Sequence, residues 1–240
     1  MVADLVLIVV PTYHEFENLA ELTERIWEAE PGGHVLLIDD GSKDGTVEWA
    51  GAHRNFNQSL FLIERQTKLG LGSAYRDGFQ WALDKRYGTV VQMDADLSHD
   101  PAIIRDFLRE IRAGADLVLG SRYLGGVRVL NWPISRLLLS VFAGVYVRSL
   151  IGMPFTDPTG GFKCFRADLL KTIGVGRMKS NGYAFQIETT HAAWTRRARI
   201  AEVPIIFEER RSGSSKMSRG IAVEAVWQVI RLALQRGPSA

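Results

Sequence analysis

The feature that most constrains this chain is an alternation of short apolar runs with polar turns and segments of helical period. The runs fall at residues 5–10, 35–38, 60–63, 89–93 and 117–119. After the first, Phe16, Leu19, Leu22 and Ile26 recur on one helical face, and further helices are expected near 46–53, 73–85 and 101–112. Runs too short for helices, separated by amphipathic helices, predict βαβ units built around a parallel sheet. The second half is less regular. Two widely apolar helices are expected near 134–151 and 221–234, with a Gly- and Pro-rich loop between them, then a helix near 183–194 and a strand near 200–207. No repeat, low-complexity tract or linker interrupts the 240 residues. The expectation is one α/β domain over 1–240, a Rossmann-like, mostly parallel sheet flanked by helices, with an amphipathic helix near 219–236 at its end.

Composition narrows the chemistry. With 46% hydrophobic and 23% charged residues the chain reads as globular, not disordered or fibrous. A single cysteine, Cys164, excludes an internal disulfide and a multi-cysteine metal site. The first residues carry no basic region, so no signal peptide is expected. Charge-free stretches such as 137–147 fall short of the roughly 18 residues of a membrane span. A reducing, cytosolic setting is the expectation. The net charge of +2 hides an asymmetry: residues 1–115 carry 11 Lys/Arg against 19 Asp/Glu, or −8, and residues 116–240 carry 18 against 8, or +10. A basic half suggests an anionic partner, a phosphate-bearing ligand or a membrane surface.

Ligands of open α/β sheets sit at the carboxyl ends of the strands. Here those ends carry Pro11-Thr12-Tyr13-His14-Glu15, Asp39-Asp40-Gly41-Ser42, Asp94-Ala95-Asp96-Leu97-Ser98 and Ser121-Arg122-Tyr123. Asp94 and Asp96 leave a buried strand one residue apart, a spacing suited to a hard divalent cation whose other positions go to phosphate oxygens and water. Asp100 before Pro101 already fits the N-cap of the following helix, so that pair is left for chemistry. Asp39 and Asp40 suit the hydroxyls of a ribose or the edge of a base. A dinucleotide site would need a glycine-rich turn after the first strand, where Pro-Thr-Tyr stands. Gly70-Leu71-Gly72 lacks the third glycine at Tyr75. A dehalogenase-type phosphatase also places two aspartates after a strand, but near the start of its fold; here three strands come first.

Taken in order, Val10-Pro11-Thr12-Tyr13 with Glu15 and Asn18, Ile38 to Ser42 with Asp44 and Thr46, and Asp94 to Ser98 resemble family 2 glycosyltransferases of the GT-A fold. Gly120 to Tyr123, Asp157 to Phe162, and Arg210 through Gly213 to Ser215-Lys216-Met217 resemble dolichol- or polyprenol-phosphate mannose synthases within it. The resemblance spans about residues 6–217. It implies that Pro11, Tyr13, Glu15, Asp39 and Asp40 line a nucleotide-sugar pocket. It implies that Asp94 and Asp96, with Ser98 where some relatives have Gln, engage Mg2+ or Mn2+ and the diphosphate. Arg122 and Arg136 would bind a lipid phosphate, and Arg210 and Lys216 the leaving diphosphate as well. Asp96, Arg122, Asp157, Arg210 and Lys216 form the implied catalytic set; Asp157 either bonds sugar hydroxyls or serves the turn.

The implied reaction is inverting transfer of mannose from GDP-mannose to a polyprenyl or dolichyl monophosphate. The alternatives are glucose transfer from UDP-glucose or a binding protein without turnover. The implied setting is peripheral, on the cytoplasmic face of a membrane. There the two apolar helices either lie on the surface or pack in a core, and a membrane-anchoring partner protein fits. Nucleic acid is not an expected partner.

Overall fold

The computed structural model describes residues 5–209 and 219–234. The first half is the expected alternation: β1 (Val6–Thr12), α1 (Phe16–Ala29), β2 (His34–Asp39), α2 (Thr46–Ala52), β3 (Leu60–Glu64), α3 (Leu71–Asp84), β4 (Thr89–Gln92), α4 (Ile104–Arg112) and β5 (Leu117–Ser121). The second half runs β6 (Val129–Leu130), α5 (Ile134–Ile151), β7 (Lys163–Arg166), α6 (Ala167–Ile173), α7 (Gly182–Thr195), β8 (Ile200–Pro204), β9 (Phe207–Glu208) and α8 (Arg219–Leu234).

Seven strands form one sheet in the order β3-β2-β1-β4-β7-β5-β8, and β6 pairs with β9 in a small second sheet. All neighbours in the large sheet are parallel except β7, which runs antiparallel to both β4 and β5. Alternate residues of each strand feed opposite faces, as strand geometry requires. Leu7, Val9, Leu36 and Ile38 pack with Tyr75, Phe79 and Phe185 under α3 and α7. Ile8, Val10, Val35 and Leu37 pack with Leu19, Leu22, Ile26 and Phe107 under α1 and α4.

Two expectations are corrected in the second half. The segment after α5, expected as loop, contains β7 and α6. Four residues reading Lys-Cys-Phe-Arg show no apolar run, because the strand starts on a buried lysine and ends on an arginine. The single strand expected near 200–207 is two: β8 ends at Pro204, which cannot donate to a ladder, and β9 crosses to pair with β6. Cys164 is buried in β7 and burial pushes its thiol pKa up, which makes it an inert structural thiol.

Helix α5 is longer than the charge-free stretch within it. Arg136 and Arg148 interrupt the sequence run but not the helix, whose 18 residues reach a mean hydropathy of 1.6. By length and composition it is long enough to cross a membrane, and only Gly144 and Val147 of it are buried.

Helix α3 approaches β1 closely because position 78 has no side chain; a Cβ on Gly78 would lie 2.4 Å from Val9 Cγ1. Gly78→Ala is therefore expected to lower stability by about 1–3 kcal/mol through overpacking, despite alanine's better helix propensity. Urea unfolding checks this, and an unchanged or higher midpoint would mean that α3 shifts freely.

Candidate active site

The carboxyl ends of β1, β2, β4 and β5 open into a cleft of about 330 Å3, closed on the far side by residues 159–161 and the start of α7. At its centre Asp94 and Asp96 follow β4. Leu97 takes a left-handed φ of +60°, a costly conformation for a branched residue, and turns the chain sharply behind the pair. Neither carboxylate is idle: Asp94 Oδ1 accepts from the Tyr75 hydroxyl at 3.0 Å, and Asp96 Oδ1 accepts from the Ser98 amide at 3.1 Å. Burial, then the charge on Asp94, raises the Tyr75 pKa, so the phenol stays neutral and keeps donating. The same Tyr75 is the residue that spoils the dinucleotide fingerprint.

His99 packs under the pair. Its Nδ1 accepts from the Asp94 amide at 3.3 Å and its ring stacks 4.8 Å from Phe162. Burial lowers its pKa, against the opposing pull of Asp94 and Asp96, so the neutral ring carries its proton on Nε2.

Across the cleft stands Arg122, 7% exposed, in a bidentate pair with Asp157, 1% exposed: Nε to Oδ2 is 2.6 Å and Nη2 to Oδ1 is 2.8 Å. Nη2 also donates to Thr159 Oγ1 at 3.1 Å. Burial by itself would lower the guanidinium pKa; Asp157 outweighs it and raises the value, and the same contact holds Asp157 below the usual carboxylate range. Arg122 and Arg136 both lie over the Trp132 ring, 5.6 and 4.2 Å from its centroid, and Arg136 is ion-paired with Glu209.

The model for glycosyl transferase family 2 matches residues 7–174, which hold both Asp94-Ala95-Asp96 and the Arg122–Asp157 pair. The chain belongs to that family. It is 43% identical over 229 residues to an undecaprenyl-phosphate mannosyltransferase of Micrococcus luteus, covering 95% of this chain and 94% of the relative. It is 42% identical over 224 residues to a polyprenol monophosphomannose synthase of Mycolicibacterium smegmatis, covering 93% and 84%. Among solved structures it is similar to glucosyl-3-phosphoglycerate synthase from Mycobacterium tuberculosis in complex with UDP (TM-score 0.71, 16% identity, 98% of this chain and 82% of that one). It is also similar to the mannosyltransferase PcManGT from Pyrobaculum calidifontis in complex with GDP-Man and Mn2+ (TM-score 0.57, 17% identity, 96% and 73%). The mostly parallel sheet is the GT-A fold that the motifs implied.

Within this family 2 glycosyltransferase, Pro11, Tyr13, Glu15, Asp40, Asp94, Asp96, Arg122 and Arg136 all reach the cleft. Asp39 does not face it. Its carboxylate accepts from Thr12 Oγ1 (3.0 Å), Ser42 Oγ (2.6 Å) and the amides of Gly41 (3.0 Å) and Ser42 (2.8 Å), which shapes the loop after β2. Asp40 lines the wall while paired with buried Arg65 and accepting from the Gly70 amide at 3.0 Å, which ties the start of α3 to β2. Asp157 acts on Arg122 and is not among the lining residues, and Ser98 meets Asp96 through its backbone. Arg210 and Lys216 lie outside the described residues.

Sequence reasoning missed Lys68, whose Nζ sits 3.9 Å from the Tyr13 ring centroid, along with Arg65, Tyr75, His99 and the buried Lys163. A lysine near a strand-end tyrosine carries no spacing signal, because 55 residues separate them.

The donor set fits a hard divalent cation. Two carboxylates one residue apart face the cleft, and among the described residues no group of three or more His, Cys, Asp or Glu forms a closed metal cage. Such a site leaves coordination positions for phosphate oxygens and water.

Asp157→Ala should leave the Arg122 charge buried and unpaired, a loss of about 3–5 kcal/mol. The apolar double replacement Arg122→Met/Asp157→Leu should recover much of that in chemical denaturation, and a double variant as unstable as the single would refute the pairing argument.

Lys163 Nζ donates to Gln186 O (2.6 Å), Thr190 Oγ1 (3.0 Å) and Thr189 Oγ1 (3.2 Å), all neutral acceptors, and burial lowers its pKa to about 7. Unfolded, it titrates near ~10.4. Between those values the unfolded chain holds more protons, so stability rises with pH across the window. Melting temperatures from pH 7 to 10 should climb more in the native chain than in Lys163→Met; parallel curves would disprove it.

Proposed function

We propose that this family 2 glycosyltransferase moves mannose from GDP-mannose to a polyprenyl monophosphate, with inversion at the anomeric carbon. The observation that carries the reading is the juxtaposition of Asp94 and Asp96 with Arg122 and Arg136 around one cleft. The two relatives above 40% identity, each matched over more than four-fifths of its own length, support mannose and a polyprenyl phosphate as substrates. The solved relative holding GDP-Man and Mn2+ supports the donor and a divalent ion.

The chemistry asks little of a base. A phosphate monoester has a second pKa near ~6, so the acceptor is largely dianionic at neutral pH and already nucleophilic. The enzyme must offset repulsion between acceptor and donor and align them. Arg122, held rigid by Asp157, and Arg136 receive the acceptor phosphate. Asp94 and Asp96 would hold Mg2+ or Mn2+, which supplies charge stabilisation for the departing nucleoside diphosphate. Tyr13, with Lys68 over its ring, and Glu15 form the nucleotide end of the cleft. The acceptor phosphate oxygen forms a bond to C1 of mannose as the bond from C1 to the diphosphate oxygen breaks, and GDP leaves with that electron pair.

The acceptor's lipid tail gives the apolar face a role. Helix α5 exposes Ile134 (76%) and Phe142 (68%), α8 exposes Trp227 (67%), and the two helices pack together, with the Tyr146 hydroxyl 3.5 Å from Val226 O. Arg136 lies on α5 and lines the cleft, so this apolar face reaches the site itself. It docks on a bilayer surface with the tail leaving beside α5.

Purified chain incubated with polyprenyl phosphate, Mg2+ or Mn2+ and labelled GDP-mannose should carry label into organic solvent, and Asp96→Ala should lose at least 100-fold, an order-of-magnitude figure for transition-state charge stabilisation. Label from UDP-glucose instead would overturn the donor, and full activity of Asp96→Ala would overturn the metal assignment.

A further inference from the structure

Gln186, on the first turns of α7, is 2% exposed yet lines the cleft. A chain of bonds sets the direction of its amide. The Gly161 carbonyl, which can only accept, takes a hydrogen bond from Gln92 Nε2 at 2.7 Å. The second hydrogen of that amide goes to Gln186 Oε1 at 2.6 Å. Gln186 Nε2 is left without a hydrogen-bond acceptor among the described residues, as Gln92 Oε1 is without a donor. Its backbone is pinned as well, since Lys163 Nζ donates to Gln186 O at 2.6 Å. An unpaired buried donor normally costs about 1–3 kcal/mol, so one held this firmly at a ligand cleft points to a ligand acceptor.

Gly161 locates the acceptor. A Cβ built there would lie 3.8 Å from Gln186 Nε2 and 3.7 and 3.9 Å from the two Asp94 carboxylate oxygens. A donor and an anionic acceptor thus flank the same side of Gly161, where no side chain comes between them. A phosphate oxygen only accepts, so it could pair with Gln186 Nε2 but could not donate to the Asp94 carboxylate. A hydroxyl both accepts and donates, and satisfies the two partners at once.

We propose that Gln186 Nε2 donates to a hydroxyl of the sugar being transferred, with Asp94 taking that hydroxyl's proton in a hydrogen bond, so that Gln186 helps select the donor sugar. The assignment rests on the reading of the cleft as a nucleotide-sugar site. A site that hydrogen-bonds a substrate hydroxyl rejects analogues lacking it, because its own polar groups are then left unpaired.

The test compares full-length native chain, Gln186→Leu and Gln186→Met in calorimetric titrations with GDP, GDP-mannose and the monodeoxy GDP-mannoses. Both variants should bind GDP as the native chain does, which also shows that they fold. Both should weaken about tenfold for GDP-mannose, and one deoxy sugar that the native chain discriminates against should become equivalent to mannose. An unchanged ratio of GDP-mannose to GDP affinity in the variants, with native transfer intact, overturns the role of Gln186 alone. Equal loss of GDP and GDP-mannose binding places Gln186 in the nucleotide contacts and also overturns it. A native chain that binds GDP-mannose no better than GDP and transfers no mannose overturns the donor reading, and the assignment with it.

Discussion

The insertion of β7 between β4 and β5 is the constraint on which the rest of the site depends. Because β7 runs antiparallel to both neighbours, β4 and β5 point the same way, and Asp94 and Arg122 emerge on one edge of the sheet. Strand spacing fixes their separation: two steps of roughly 4.8 Å put β4 and β5 about 10 Å apart. That gap takes phosphate groups between acids and arginines without letting the two collapse into an ion pair. The amino end of β7 lies at the same edge, so residues 157–161 enter between them, with Asp157 turned to Arg122 and Gly160 and Gly161 lining the floor.

The cleft is also where the two halves of the charge distribution meet. Asp40, Asp94 and Asp96 come from the acidic first half, Arg122 and Arg136 from the basic second half. Most of these charges are already engaged: Asp40 with Arg65, Asp94 with Tyr75, Arg122 with Asp157, Arg136 with Glu209. Such pairing reduces the freedom of each side chain before a ligand arrives, and preorganised groups need not reorganise as charge develops in the reaction. It also keeps a buried arginine ionised where desolvation alone would oppose it.

Much of the site was legible because it obeys a local rule. A strand read from an apolar run delivers the residues after it to the sheet edge, so Pro11, Tyr13, Glu15, Asp94, Asp96 and Arg122 could be placed without knowing the topology. Asp100 as a cap on the next helix was likewise local, its side chain accepting from the Ala102 amide. Asp39 is placed by contacts of another kind. At a strand end it looked like a ligand contact, but three neighbouring donors in the 41–42 turn and Thr12 on the adjacent strand claim both its oxygens. Residues such as Lys68, Tyr75 and Gln186 act across separations of 19 to 94 positions, to Asp94 and Gln92 among others, and such distances leave no period or spacing in the chain.

By itself the sequence determined the alternation of strands and helices, the acids and arginine at strand ends, and the family, since these depend on local periodicity and on motifs read in order. Tertiary structure decided which of those side chains are spent on the protein and which remain for a ligand. It also decided that a four-residue strand bounded by lysine and arginine would sit at the middle of the site, its lysine buried among neutral oxygens of α7. The physical reason is that hydrogen-bond satisfaction in a buried site depends on all the strands and helices that converge there, and only the assembled sheet brings them within hydrogen-bonding distance of one another.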